Sequence, residues 1–256
     1  MKFSANLGFL WADRPLPDAI RAAHRAGFDA VECHWPYGVP AADTLAALRD
    51  TGLRMLGLNT RRGDVAAGEN GLAALPGRQA DARAAIDEAL DYARATGTGA
   101  VHVMSGRTDD PRAEATLLAN LDHACAAAGP DGITILIEPL NPRDAPGYFL
   151  NRTDQAARII QALGAPNLRL MFDCYHVALT EGDVAGRFAA LRGLIGHVQI
   201  AAVPDRGPPD HGELDYPALL SRFAALGWDR PVGAEYRPPG PTDDSLGWLA
   251  AYPDRG

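Results

Sequence analysis

Four apolar segments in the second half of the chain end in side chains that could exchange protons or bind a cation. They carry Glu138 after Ile-Leu-Ile, Asp173 after Leu-Met-Phe, Gln199 in His-Val-Gln-Ile, and Glu235 after Val-Gly-Ala. Carboxylates that face a common axis repel, and each becomes protonated unless a cation neutralises it. A divalent metal would remove this conflict, and oxygen donors alone suit Mg²⁺ or Mn²⁺ better than Zn²⁺. The four residues therefore predict a metal site.

The elements that would position these side chains follow from the apolar pattern. Short apolar runs predict eight strands, at Phe3–Leu7, Ala30–Cys33, Arg54–Leu58, Ala100–Met104, Ile133–Glu138, Leu168–Asp173, His197–Ile200 and Val232–Glu235. Alanine-rich segments predict helices at Pro17–Arg25, Ala41–Arg49, Arg78–Ala95, Arg112–Ala127, Thr153–Leu163, Val184–Leu191, Tyr216–Ala225 and Asp243–Leu249. Strict alternation of strand and helix implies a parallel sheet with right-handed crossovers.

Eight such units over 256 residues predict one (β/α)₈ TIM barrel domain spanning residues 1–256. An open doubly wound sheet would need a Gly-x-Gly-x-x-Gly turn after its first strand, and the sequence has none after Leu7. Barrel active sites lie at the C-terminal ends of the strands, where the four polar residues fall. The long stretch at about 60–77, after the third strand, predicts a lid or binding loop.

Composition excludes several classes of partner. A net charge of −8 counts against nucleic acid, because phosphate binding needs a basic face. The three cysteines are widely spaced and form no Cys-x-x-Cys pair, which argues against a disulfide framework and fits a reducing cytoplasm. No apolar run approaches the ~18 residues of a membrane span. We therefore expect a small-molecule substrate and neither nucleic acid nor membrane as a partner; assembly into a homo-oligomer stays open.

A series of motifs runs in order along nearly the whole chain. They are Phe3-Ser-Ala-Asn-Leu, Gly63-Asp-Val-Ala-Ala-Gly-Glu-Asn-Gly, Leu75-Pro-Gly-Arg, Ile137-Glu-Pro-Leu-Asn, Asp173-Cys-Tyr-His, Gly196-His-Val-Gln-Ile-Ala, Pro204-Asp-Arg-Gly, Gly212-Glu-Leu-Asp-Tyr and Gly233-Ala-Glu-Tyr-Arg-Pro. As a set they resemble the hydroxypyruvate isomerases, within the xylose-isomerase-like barrel superfamily that includes ketose 3-epimerases. The resemblance implies that Glu138 and Glu235 are the proton donor and acceptor. It also implies a divalent metal at Glu138, Asp173, Gln199 and Glu235, and no nucleotide cofactor.

The same resemblance implies two substrate contacts. His176 would face a substrate oxygen, and Arg206 would contact the substrate in the way of the epimerase relatives. Arg61 and Arg62, where some relatives have Leu-Pro, add cations that could hold a carboxylate with two hydrogen bonds. Asn59, which ends the third strand, is a further candidate for substrate binding.

The resemblance implies an isomerase that converts a small 2-oxo acid, hydroxypyruvate, to tartronate semialdehyde through an enediolate. The nearest alternatives are a 2-oxo-tetronate isomerase and a metal-dependent ketose 3-epimerase, because the same two glutamates would serve either. A phosphodiester hydrolase would need a histidine-rich zinc site and a basic surface. A glycosidase would use paired carboxylates but would leave Asp173, His176 and Gln199 without a shared role. A non-catalytic barrel that binds sugars or acids is the remaining alternative.

Overall fold

Parallel strands pair side by side around a barrel in the computed structural model, which describes residues 1–252. The strands are β1 (Phe3–Asn6), β2 (Ala30–Glu32), β3 (Arg54–Met55), β4 (Leu58–Asn59), β5 (Ala100–His102), β6 (Thr134–Ile137), β7 (Leu168–Asp173), β8 (Ile195–Ile200) and β9 (Val232–Ala234). Their order is β3-β2-β1-β9-β8-β7-β6-β5-β4. Because β3 pairs with β2 and β4 pairs with β5, these two short strands are consecutive pieces of the third barrel strand. The predicted TIM barrel is confirmed.

Helices cover the outside of the barrel. They are α1 (Leu16–Arg25), α2 (Ala41–Thr51), α3 (Gln79–Thr96), α4 (Ala113–Ala128), α5 (Thr153–Leu163), α6 (Cys174–Thr180), α7 (Val184–Leu191) and α8 (Tyr216–Ala225). Among residues 1–252, none of these helices has the length and apolar character needed to cross a bilayer.

The structure differs from the sequence-based prediction at two helices. Helix α6 was not predicted; it begins directly after β7 because the Asp173 carboxylate accepts a hydrogen bond from the Tyr175 backbone N–H at 2.8 Å and caps it. The prediction of an α-helix at Asp243–Leu249 is wrong. Two short 3₁₀ helices, Thr242–Ser245 and Gly247–Ala251, occupy that segment, since Gly247 lowers α-helix propensity at its centre.

Most of the buried apolar side chains belong to one continuous cluster. On the side of β7, the Phe172 ring contacts the Phe188 ring of α7 at 5.8 Å between centroids. Phe188 in turn stacks on Phe223 of α8 at 3.7 Å. All three rings are buried. Their packing therefore holds the outward-facing side of β7, the strand that ends in Asp173.

The long segment between β4 and α3 is fastened to the rim of the barrel. Its Leu72 N–H donates to the Met104 carbonyl at 3.2 Å, and the Ala74 N–H donates to the Ser105 carbonyl at 2.7 Å. Gly71 has a φ of +109°, and an added Cβ there would lie 2.6 Å from the Met104 carbonyl oxygen. The close approach of loop and rim therefore requires glycine at this position.

We predict that Gly71→Ala destabilises the protein more than Gly68→Ala. Both residues have positive φ, +109° and +86°, so both substitutions strain the backbone. In the described part of the chain no atom lies within 4 Å of a Cβ built at Gly68, whereas Gly71→Ala adds a clash with the rim that should cost about 1–3 kcal/mol more. Urea unfolding of both variants measures the difference. Equal losses would show that the loop is not held against the rim.

Candidate functional site

A cavity of about 300 Å³ opens at the carboxyl ends of the barrel strands. Six residues predicted from the sequence line it: Asn59, Arg62, Glu138, His176, Arg206 and Glu235. The barrel thus brings together side chains that are as much as 176 positions apart, between Asn59 and Glu235.

Strand register explains how the remaining polar residues join this group. Asp173 on β7 pairs with Gln199 on β8, and Gln199 pairs with Gly233 on β9. Side chains at paired positions of parallel strands project to the same side, and Glu235 follows Gly233 by two residues. Asp173, Gln199 and Glu235 therefore all project toward the barrel interior, where each is almost fully buried.

Three donors hold the Glu235 carboxylate. Asn6 Nδ2 donates to Oε1 at 2.8 Å, His34 Nε2 lies 2.9 Å from the same oxygen, and an Arg206 guanidinium nitrogen donates to Oε2 at 2.7 Å. Burial acts to raise the pKa of Glu235, but the Arg206 charge and the His34 contact outweigh it and lower the pKa to about 2. Glu235 is therefore an ionised carboxylate with both oxygens engaged.

Arg206 occupies the centre of the acidic cluster. Its guanidinium carbon lies 4.9 Å from the Phe9 ring centroid and 5.0 Å from that of Tyr175, so two aromatic faces hold the cation. One of its nitrogens is 3.8 Å from Asp173 Oδ2. Its backbone has a φ of +59°, a conformation uncommon outside glycine, and its carbonyl accepts from the Arg237 N–H at 2.8 Å.

Glu138 and Asp173 lack the donors that Glu235 has. Within residues 1–252, Glu138 Oε1 and Asp173 Oδ2 are buried and have no hydrogen-bond partner. Burial and the negative charge of Glu235 raise the pKa of Glu138 well above its usual range, with a further contribution from Asp173. The same two causes raise the pKa of Asp173 to about 7. These two acids therefore need an additional positive charge to be ionised together.

His176 presents a hydrogen-bond donor to the same space. Its Nδ1 lies 3.0 Å from the Asn141 backbone N–H, which can only donate. The neutral ring therefore carries its proton on Nε2, and burial with the nearby Arg206 charge keeps it neutral by lowering its pKa to about 3. Nε2 lies 3.5 Å from Asp173 Oδ2 and 3.8 Å from Glu138 Oε1.

The residues present fit a divalent cation. One potential ligand atom each from Glu138, Asp173 and His176 lies within 4.8 Å of the others. In the described residues the Gln199 carbonyl oxygen is also buried without a partner. Two carboxylate oxygens and one amide oxygen are the donors that hard cations prefer. Glu235, the fourth predicted ligand, differs from these residues because Arg206, His34 and Asn6 already contact its two oxygens.

The two neighbouring arginines of the long loop point to different places. Arg61 forms two hydrogen bonds with Glu88 of α3, at 2.5 and 2.9 Å, and its guanidinium stacks on Tyr37 at 4.6 Å. It does not line the cavity, so the structure does not bring it together with the other predicted substrate-binding residues. Arg62 lies over the Trp35 ring at 4.9 Å and does line the cavity.

Asn70 and Arg237 complete the mouth of the cavity. Asn70 accepts a hydrogen bond from Arg62 Nε at 2.7 Å through its side-chain oxygen. Arg237, two residues after Glu235 in the sequence, has its guanidinium carbon 5.7 Å from the centroid of the Phe9 ring. Both residues line the cavity beside Arg62, which gives the mouth two cations besides the central Arg206.

Sequence reasoning missed the residues that hold Glu235. His34 and Asn6 were assigned no role, although each closes or follows a short apolar strand as the predicted residues do. His102, the last residue of β5, also lines the cavity, with its Nδ1 3.6 Å from Glu138 Oε2. The signal that could have found all three is their position at the carboxyl ends of β1, β2 and β5.

Comparison with known proteins agrees with this geometry. The family description "Xylose isomerase-like TIM barrel" matches residues 20–252. A protein of Cupriavidus necator named 2-oxo-tetronate isomerase is 48% identical over 98% of both chains. The hydroxypyruvate isomerase of Escherichia coli is 34% identical, with 98% of this chain and 99% of the relative covered.

A solved structure has the same fold throughout. It is described as an AP endonuclease, family 2, from Brucella melitensis, and it superposes with a TM-score of 0.95 at 38% identity over 98% of both chains. The chain therefore belongs to the xylose isomerase-like TIM barrel family, together with relatives named as 2-oxo-tetronate and hydroxypyruvate isomerases.

Proposed function

We propose that the protein isomerises a small 2-oxo acid by moving a proton between adjacent carbons. The observation that carries the proposal is that Glu138 and Glu235, both almost fully buried, line one cavity together with Arg206 and His176. Relatives at 48% and 34% identity are named as isomerases of such acids. The substrate would be hydroxypyruvate or its four-carbon counterpart, 2-oxo-tetronate.

The chemistry needs one group to take a proton and one to return it. For hydroxypyruvate, a carboxylate takes the proton from C3, and the resulting enediolate is protonated at C2 to give tartronate semialdehyde. The hydroxyl proton on O3 passes to O2, so atoms and charge balance. Glu138 and Glu235 are the two groups able to act as general base and acid at this position.

Arg206 and His176 would stabilise the charge that forms on the substrate oxygens. The Arg206 guanidinium is fixed between two aromatic rings, and the His176 Nε2–H faces the space between Glu138 and Asp173. Fixed donors aimed at a developing oxyanion lower the barrier without reorganising during the reaction. This supports the role of His176 as a donor to a substrate oxygen.

A divalent cation, Mg²⁺ or Mn²⁺, would be held by oxygen atoms of Glu138, Asp173 and Gln199. Their unpartnered buried oxygens and the raised pKa values of the two acids support a missing positive charge. When bound, such a cation polarises the carbonyl and makes the neighbouring C–H bond more acidic. His176 contributes a donor rather than a ligand, because its proton lies on Nε2.

The carboxylate of the substrate would bind at the mouth of the cavity. Arg62 donates one hydrogen bond, from Nε to the Asn70 side-chain oxygen. Among residues 1–252 its other guanidinium nitrogens have no hydrogen-bond or ion-pair partner. Arg206 is less suited because it already contacts Glu235 and Asp173. We therefore assign the carboxylate to Arg62, with Arg237 as a second cation.

Phosphodiester hydrolysis, the activity suggested by the name of the Brucella protein, has less support. The net charge is −8, and the metal-binding cluster found among the described residues contains a single histidine. A ketose 3-epimerase would use the same two glutamates but would not need the arginines at the mouth. The three cysteines are free and buried, which supports a reducing compartment such as the cytoplasm.

We predict that chelation lowers turnover of both 2-oxo acids and that Mg²⁺ or Mn²⁺ restores it. Loss of charge stabilisation at the substrate oxygen should reduce kcat at least about tenfold. Hydroxypyruvate, 2-oxo-tetronate and an uncharged ketose are assayed with and without EDTA. Full activity in protein shown by elemental analysis to be free of metal would remove the metal from the mechanism. Faster conversion of the ketose would favour the epimerase.

Glu138→Gln and Glu235→Gln should each lower kcat by about 10²–10⁴-fold, because the amide keeps the shape but cannot exchange a proton. Glu114→Gln, at an exposed helix position, controls for loss of one negative charge. Reactions in D₂O identify the roles: a variant that exchanges the C3 proton without forming product retains the abstracting base. Near-normal turnover in both variants would refute proton transfer by these glutamates.

Arg62→Ala should raise KM for the 2-oxo acids by about tenfold or more, since a charge-assisted hydrogen bond contributes roughly 1.5–3 kcal/mol. Arg61→Ala is the matched control, because its guanidinium pairs with Glu88 outside the cavity. KM is measured for both variants by steady-state kinetics. Equal effects of the two substitutions would contradict a carboxylate site at Arg62.

A further inference from the structure

A buried carboxylate lies inside the barrel and takes no part in the proposed reaction. Glu32 ends β2 and is 3% exposed. Its Oε1 accepts a hydrogen bond from Ser4 Oγ at 2.9 Å, and its Oε2 accepts one from Gln199 Nε2 at 2.8 Å. His197 Nε2 lies 3.2 and 3.1 Å from the two oxygens. Several polar groups are thus arranged around one acceptor.

The contact with Glu32 fixes which end of the Gln199 amide points away from it. A glutamine side chain has a donor end, NH₂, and an acceptor end, the carbonyl oxygen, whereas a carboxylate only accepts. Glu32 therefore selects the nitrogen of Gln199 and turns the carbonyl oxygen in the opposite direction. Within the described residues this Oε1 atom is buried and unpartnered.

The strand register places Gln199 beside one of the two acids of the proposed cation site. Gln199 is the paired neighbour of Asp173, so both side chains leave their strands toward the same side. Gln199 also lines a cavity of about 210 Å³ in the barrel interior together with Glu138 and Glu235. Gln199 and the two acids therefore face the same barrel interior, in which the cation would bind.

Gly233 leaves the space in which these groups meet. A Cβ at this position would collide with the Glu32 carboxylate and would lie 2.9 Å from both Gln199 Cγ and His197 Nε2. Distances below 3.0 Å do not occur for real Cβ atoms. Glycine at the paired position of β9 is thus required for Glu32 to reach Gln199.

We propose that Glu32 is a positioning residue that holds Gln199 with its carbonyl oxygen toward the divalent cation, as a third oxygen ligand beside Glu138 and Asp173. The inference rests on the metal site of the proposed function. It gives the Gln199 amide a fixed orientation, which is what an outer partner supplies to a metal ligand.

The test is Mn²⁺ binding to the chelated and reloaded protein, measured by electron paramagnetic resonance. Glu32→Gln keeps the size of the side chain but offers the Gln199 amide both a donor and an acceptor, so the carbonyl is no longer fixed. The dissociation constant should rise about 10–100-fold. Ser4→Ala is the matched control, because it removes a donor from the other Glu32 oxygen and leaves the Gln199 contact in place.

The double variant Glu32→Gln/Gln199→Glu gives a second readout. It exchanges the two groups, so that the new amide donates to the new carboxylate, which keeps one oxygen for the cation. Mn²⁺ affinity should return at least to that of the wild type, while Gln199→Ala should stay weak. Thermal unfolding of each variant accompanies the titrations.

The outcomes separate the inference from the function on which it depends. Wild-type affinity in folded Glu32→Gln, with binding still lost in Asp173→Asn, would overturn the positioning role and leave the metal site intact. If the wild type does not bind Mn²⁺, or if Asp173→Asn leaves its Mn²⁺ binding unchanged, both the metal site and the inference fail. If Glu32→Gln does not fold, weak binding by the folded double variant overturns the inference.

Discussion

Four carboxylates buried around one barrel axis set the electrostatic constraint that organises this protein. Glu32, Glu138, Asp173 and Glu235 are each at most 5% exposed, and removing such charges from water costs several kcal/mol per ion unless they are compensated. The parallel strands bring their ends together, so the fold itself creates the repulsion. Each polar residue near the axis can be assigned to the carboxylate whose negative charge it helps to stabilise.

The four carboxylates are not stabilised equally, and this difference allows them to take different roles in proton transfer. Glu32 and Glu235 receive donors from the protein, including the Arg206 guanidinium on Glu235. Glu138 and Asp173 retain unpartnered oxygens within the described chain and raised pKa values. Two glutamates in one cavity therefore have opposite environments, which is the arrangement that separates acid and base roles in a single site. The space beside Glu138 and Asp173 is where positive charge is still needed.

The barrel and the acids at its strand ends could be predicted from sequence because both are local signals. An apolar run identifies a strand, and its last residue identifies the functional end. The partners of Glu235 could not be predicted, since His34 and Asn6 are 201 and 229 positions away in the chain and meet it only through barrel closure. Arg61 and Arg62 are adjacent in sequence, and only the loop conformation decides that Arg62 faces the cavity while Arg61 pairs with Glu88.

A crystal structure of the protein soaked in Mn²⁺, with data collected to locate manganese by anomalous scattering, tests the charge argument most directly. We expect one strong peak within bonding distance of Glu138 and Asp173, at about the 2.1 Å typical of Mg²⁺ bound to oxygen. The Gln199 carbonyl oxygen should complete the protein ligands. No peak beside these two acids at saturating Mn²⁺ would contradict the account and leave Arg206 as the cation that compensates the cluster.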